Sequence, residues 1–158
     1  MILSDHYLFP STIFASPIPT KVTTILGSCV AVCLYDPVTG TGGINHFMLP
    51  FWNGEGLASP KYGNIANEKL IESMLYNGSK KNKLIAKLFG GANIFQGTLT
   101  FNVGQRNIDL ATKMLADHGI PVVAAHVGGS AGRKIIFNTY SGEVLHQLLI
   151  SPAPIGRI

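Results

Sequence analysis

Charge is scarce in this chain. Only 13% of its 158 residues are charged, 12 basic and 8 acidic, well below the ~25% usual for a soluble domain. The few cations are scattered except for Lys80, Lys81, Lys83 and Lys87. No aromatic residues interleave with that cluster, so the stacking platform of a nucleic-acid binder is missing. It reads as a solvated loop leading into a strand, with a docking patch for an acidic partner as the alternative. Cysteine is equally sparse, at Cys29 and Cys33 alone. Four residues of strand span about 13 Å, too far for a disulfide that needs Cα atoms within about 7 Å, and reduced thiols suit the cytoplasm. The N-terminus lacks a basic n-region and is broken by Pro10, Pro17 and Pro19, unlike a signal peptide. The long uncharged stretches, 37–54 and 88–105, are laced with Gly, Asn and Thr, and neither makes a membrane span.

Turn-forming residues are abundant. Eighteen glycines and nine prolines, with 46% hydrophobic residues, favour a β-rich globular chain, most economically one domain over 1–158. The centre of interest is residues 26–50, LGSCVAVCLYDPVTGTGGINHFMLP. Cys29 follows a Gly-Ser pair and precedes an apolar run, Val30 to Tyr35. Asp36-Pro37, Thr39-Gly40 and Gly42-Gly43 break the chain. A second run from Ile44 to Leu49 carries His46. Two such runs about a Gly/Pro break predict a hairpin. A turn centred near Val38 to Gly40 faces Cys29 with a residue between about 46 and 50. His46 is at the edge of that window.

Along the rest of the chain, residues 1–20 form an extended arm that lies on the body as an edge strand or coil. A β-type run follows at Val22 to Leu26. Phe51 to Gly63 is a loop with no period, placed either to wall a cleft or to tuck Phe51 and Trp52 onto the core. Asn64 caps a helix that ends before Gly78. Strands are expected at Lys83 to Phe89, Leu99 to Val103 and Ile120 to Val127. A second helix opens at Asn102 or Gly104 and ends at Gly119 and Pro121. A last hairpin turns about Ser141-Gly142, and residues 151–158 form a mobile tail. Seven or more strands with two helices between them argue for α+β with mixed or antiparallel sheets.

Cys33, mid-strand, reads as a small hydrophobe. Cys29 ends a turn, which leaves its thiol accessible and lets nearby backbone N–H groups point at a developing oxyanion. An adjacent imidazole is the usual activator of such a thiol, and a Cys29–His46 pair competes with a structural role for each. Cys29, Cys33 and His46 fall short of the four ligands of a structural zinc site. GGSAGRK at 128–134 lacks the Gly-Lys-Ser/Thr ending of a phosphate loop. His118 and His126 are assigned to structure, and Arg106, Asn107 and Arg133 to backbone hydrogen bonding beside turns.

LGSCVAVCLYD, GGINHFMLP, KLFGGAN, NVGQRN and GGSAGRK, in order from about residue 22 to residue 145, resemble the CheD family of chemoreceptor glutamine deamidases. The resemblance implies an αββα-layered β-sandwich with outer helices, a cysteine-hydrolase fold similar to that of cytotoxic necrotizing factor. It places the nucleophile on Cys29, the catalytic histidine on His46 and a third member on Thr23; in the mechanism this allows, backbone N–H groups near Ser28 and Cys29 would hold the oxyanion. It implies hydrolysis of glutamine side chains on the cytoplasmic helices of methyl-accepting chemotaxis receptors, with no cofactor or metal, and a CheC-type phosphatase as partner. The competing readings are a non-catalytic regulatory module acting through that phosphatase, and a cysteine amidase with other substrates.

Overall fold

The structure, a computed structural model, describes residues 2–94 and 102–158. In chain order its elements are β1 (Ser4–Tyr7), β2 (Ile13–Ser16), β3 (Thr20–Leu26), β4 (Val30–Asp36), β5 (Thr41–Asn45), α1 (Gly63–Tyr76), β6 (Ile85–Gly90), α2 (Val103–Asp117), β7 (Val122–Val127), β8 (Arg133–Asn138), β9 (Val144–Leu148) and β10 (Gly156–Arg157). They form two sheets of five strands, in the orders β1-β3-β8-β9-β10 and β2-β5-β4-β6-β7. Between the sheets lie Val22, Leu26, Ala31, Cys33, Ile44, Phe89, Ile135 and Phe137. The other face of the second sheet, with Val30, Val32 and Leu34, packs on α1 through Leu70 and Met74 and on α2 through Ile108, Ala111 and Leu115. Strand β4 is therefore covered on both faces, which explains its unbroken apolar run.

Both helices pack on the second sheet, α1 against β2, β4 and β5 and α2 against β4, β6 and β7. The layer order among the described residues is therefore helices, sheet, sheet, which corrects the αββα order expected above. The reason lies in β3 and β8. Their inward face carries Val22, Leu26, Ile135 and Phe137, but Lys21, Ile25 and Lys134 stand exposed on the far face, leaving no continuous apolar stripe for a helix to bury.

The arm at 1–20 supplies two edge strands, β1 parallel to β3 and β2 antiparallel to β5. The tail is fastened, contrary to the expectation of mobility. Strand β10 pairs with β9, Ile158 exchanges backbone hydrogen bonds with Val144, and the Lys87 ammonium donates to the Ile158 carbonyl at 2.6 Å. Asn64 does not cap α1. Its Oδ1 accepts from the Trp52 N–H at 2.9 Å and so anchors the 51–63 loop. Asn102 does cap α2, accepting from the Gln105 N–H at 3.0 Å. The strand expected over 99–103 lies outside the described residues up to 101, and Val103 is already helical.

Strand β6 ends at Gly90 and Gly91, both at positive φ. A Cβ on Gly90 would run into the Cys29 carbonyl oxygen. Gly90→Ala combines that clash with a left-handed backbone, and the expected loss is about 2–4 kcal/mol of stability. Urea unfolding of the variant against the wild type measures it. A change near zero would mean that the turn accommodates a side chain.

Candidate active site

The hairpin forms in the anticipated frame. Cys33 to Asp36 face Ile44 to Thr41, and the bridge between Val30 and Phe47 keeps the same register. Carried one residue further, Cys29 faces Met48, inside the expected window, and His46 faces Ala31. By alternation Cys29, Ala31, His46 and Met48 share the face between the sheets, with Cys29 and His46 diagonal neighbours.

A break in the ladder seats His46. The Val32 N–H donates to the Asn45 side-chain oxygen at 2.9 Å, where a regular strand would offer a carbonyl. The backbone of His46 turns instead to the arm. Its N–H donates to the Thr12 carbonyl at 3.3 Å, and its carbonyl accepts from the Ser11 N–H at 2.8 Å. The ring is then buried at 2% exposure, with Nδ1 2.7 Å from the Thr24 hydroxyl.

The Thr24 hydroxyl also donates to the Leu8 carbonyl at 2.8 Å. It has one proton to give, and the acceptor it satisfies belongs to a fully buried residue. It therefore accepts from His46 Nδ1–H. This fixes the tautomer and leaves the lone pair on Nε2, which is buried and, among the described residues, without a hydrogen-bond partner.

The hydroxyl on the imidazole is thus Thr24's and not Thr23's. Along β3, Val22, Thr24 and Leu26 face the other sheet, whereas Lys21, Thr23 and Ile25 face outward. Thr23 contributes through its backbone, its carbonyl accepting from the Leu8 N–H at 2.8 Å.

Around Cys29, three consecutive carbonyls are held. That of Gly27 accepts from the Ala92 N–H at 3.0 Å, and that of Cys29 from the Gly91 N–H at 2.9 Å. That of Ser28 accepts from the Asn107 side-chain amide at 3.0 Å. Among the described residues, the N–H groups of Ser28 and Cys29 reach no acceptor on another residue. Burial raises the Cys29 thiol, and its own backbone N–H partly offsets that. Burial also lowers His46, to about 4. Both shifts favour the uncharged forms, a thiol beside a neutral imidazole. Cys33, fully between the sheets, has its thiol pushed up further by burial.

The family model described as CheD chemotactic sensory transduction matches residues 48–147. Three similar relatives carry the name probable chemoreceptor glutamine deamidase CheD. That of Trichlorobacter lovleyi is 52% identical over 144 residues, 90% of this chain and 89% of the relative. That of Sulfurimonas denitrificans is 48% identical over 92% of this chain and 94% of the relative. That of Caulobacter sp. is 41% identical over 86% and 74%. The chain belongs to the CheD family.

The CheD family model begins beyond Cys29 and His46, but a match over nine-tenths of the chain leaves too few residues outside it to omit their hairpin. Within this CheD chain the other histidines lie elsewhere. His118 caps α2 and sits 2.7 Å from Glu68, His6 stacks on Phe14, and His126 packs on His146 beside Arg133. Among the described residues, no cluster of three or more His, Cys, Asp or Glu is arranged to hold a metal, and no helix is long and apolar enough to cross a membrane. The residues that sequence reasoning passed over are Thr24 and Asn45, with Asn107 set aside as structural. For Thr24 a signal was present, since Val22 and Leu26 two residues either side are apolar while Lys21 is charged.

The depressed His46 pKa makes stability depend on pH. Between about pH 4 and 6.5 the unfolded imidazole is protonated and the folded one is not, so stability falls as pH drops through that window. The shift corresponds to at most about 3 kcal/mol. Urea unfolding from pH 8 to pH 4 is expected to show a shallower pH slope in His46→Gln than in wild type. Burial lowers His126 and His146 in the same direction, and they contribute to both proteins. Equal slopes would place a charged imidazole in the folded state.

Proposed function

We propose that this chain hydrolyses selected glutamine side chains of chemotaxis receptors to glutamate, with Cys29 as nucleophile and His46 as base. One observation carries the chemical part: an imidazole whose Nδ1 lies 2.7 Å from the Thr24 hydroxyl while its buried Nε2, among the described residues, has no hydrogen-bond partner, on the face shared with the Cys29 thiol. The names of the relatives supply the substrate class. A two-sheet sandwich with the pair between its sheets supports a cysteine-hydrolase fold of the cytotoxic necrotizing factor kind. A CheC-type phosphatase that competes with receptor belongs to the same reading, on family resemblance.

As Cys29 Sγ attacks the glutamine Cδ, its proton passes to His46 Nε2. Thr24 holds the ring and accepts from Nδ1–H as the imidazolium forms. The oxyanion develops against the N–H groups of Ser28 and Cys29, a term of about 3 kcal/mol for each donor. The C–N bond breaks, His46 returns the proton to the leaving nitrogen, and ammonia departs. Water then attacks the thioester and gives a proton to Nε2. The carbonyl re-forms, glutamate is released, and the Cys29 thiolate recovers its proton from His46. Met48 and Phe51 stand partly exposed beside the hairpin, an apolar rim suited to the side chains of a helical segment.

Ammonia release and the amide-to-acid mass gain on a receptor cytoplasmic fragment test this. Cys29→Ala is expected to abolish both, and His46→Ala to slow them by about 10²–10⁴-fold. Inactivity of folded wild type on several receptor fragments would sink the receptor assignment. A second comparison separates the two threonines. Thr24→Val is expected to lower kcat by about 10- to 100-fold through loss of ring orientation, while Thr23→Val leaves it little changed. The reverse ranking would return the role to Thr23.

A further inference from the structure

Asn107, the last residue of the NVGQRN segment, lies on α2 and is fully buried. Its side-chain amide donates to two carbonyls, those of Ser28 and Met48, each at 3.0 Å. These belong to the residue before the nucleophile and to the residue facing the nucleophile across the hairpin. Two acceptors fix which end of the amide is nitrogen, since a flipped side chain would set oxygen against two oxygens. Among the described residues the Asn107 Oδ1 is buried and has no hydrogen-bond partner.

The Ser28 contact has a consequence for the next atom pair. A trans peptide is planar, and its C=O and N–H point in opposite directions. Helix α2 packs on the outer face of the second sheet. With the Ser28 carbonyl drawn toward α2, the Cys29 N–H is turned away from it, into the space between the sheets where the Cys29 side chain lies. The carbonyls on either side are tied to Ala92 and Gly91, so this peptide has little freedom left except the rotation that Asn107 opposes.

We propose that Asn107 is a positioning residue for the oxyanion hole: its amide, by holding the Ser28 carbonyl, aims the Cys29 N–H at the oxyanion of the reaction. This rests on the assignment of Cys29 as nucleophile. Asn107 touches no reacting atom, so its effect is confined to steps that pass through an oxyanion. The proximity of the Cys29 N–H to its own sulfur, which favours the thiolate, agrees with that direction.

Two reactions of Cys29 separate this role from a merely structural one. Acylation by p-nitrophenyl acetate passes through a tetrahedral oxyanion. Alkylation by iodoacetamide uses the same thiol and the same base without one. In Asn107→Ala the ratio of acylation rate to alkylation rate is expected to fall by about 10- to 100-fold, with alkylation itself little changed. On a receptor fragment, kcat falls with KM unchanged. Asn107→Leu, apolar and of similar size, buries no charge, serves should Asn107→Ala fail to fold, and is expected to lower the ratio likewise. A ratio equal to wild type in the folded variant, whether both rates fall together or neither falls, overturns the proposal. The ratio is measured without any receptor, so a wild type inactive on receptor fragments would refute the substrate assignment and leave the role of Asn107 decided by the ratio.

Discussion

The hydrogen bond between His46 and Thr24 joins the two sheets at the point where the chemistry is placed. His46 follows a strand of the second sheet and Thr24 lies in the middle of the first, and the bond sits in the layer that separates them. Its length depends on how closely the sheets approach, which Val22, Leu26, Ala31, Phe89 and Ile135 determine by filling that layer. The crossing segment between β1 and β2 holds both partners. Leu8 receives the Thr24 hydroxyl, and Ser11 and Thr12 hold the His46 backbone. An arm that reads as an accessory in the sequence thus belongs to the scaffold of the base.

The hairpin was legible because two simple rules agree there. Strand alternation has a period of two, and Asp-Pro with Thr-Gly defines a turn, so the facing residues follow from the turn centre. Thr23 and Thr24 are adjacent, and the choice between them is one of parity. The resemblance pointed to one, but the apolar neighbours of β3 turn the other inward. Asn107 was not legible in the same way. It meets Ser28 across 79 positions of chain, and no local pattern encodes such a contact. The helix layer was expected from the resemblance, and strand counting, which says nothing about which sheet face carries lysines, offered no check on it. The tail was misread because a Pro-containing terminus resembles a free end until Lys87 and Val144 are brought to it by the fold.

Burial also sets the temper of the site. Thiol and imidazole are both driven toward their neutral forms by loss of water, for Cys29 upward and for His46 downward. A preformed ion pair would make a nucleophile reactive toward any passing electrophile. A neutral pair keeps the sulfur quiet until a carbonyl is presented together with N–H groups that stabilise its oxygen. In the reaction proposed for this pair, selectivity would arise in the transition state, where the charge appears, rather than in the resting thiol.

The supports of the nucleophile come late in the chain. Cys29 and His46 lie within the first third, but the groups that hold the carbonyls at 27, 28 and 29 are Ala92, Asn107 and Gly91. During synthesis from the N-terminus, the pair is made well before the elements that aim it. A nascent chain that has reached β5 carries both chemical groups and none of the long-range closures that order them, which form slowly because of their sequence separation. The contacts that order the pair are therefore complete only once β6, the turn after it and α2 have docked.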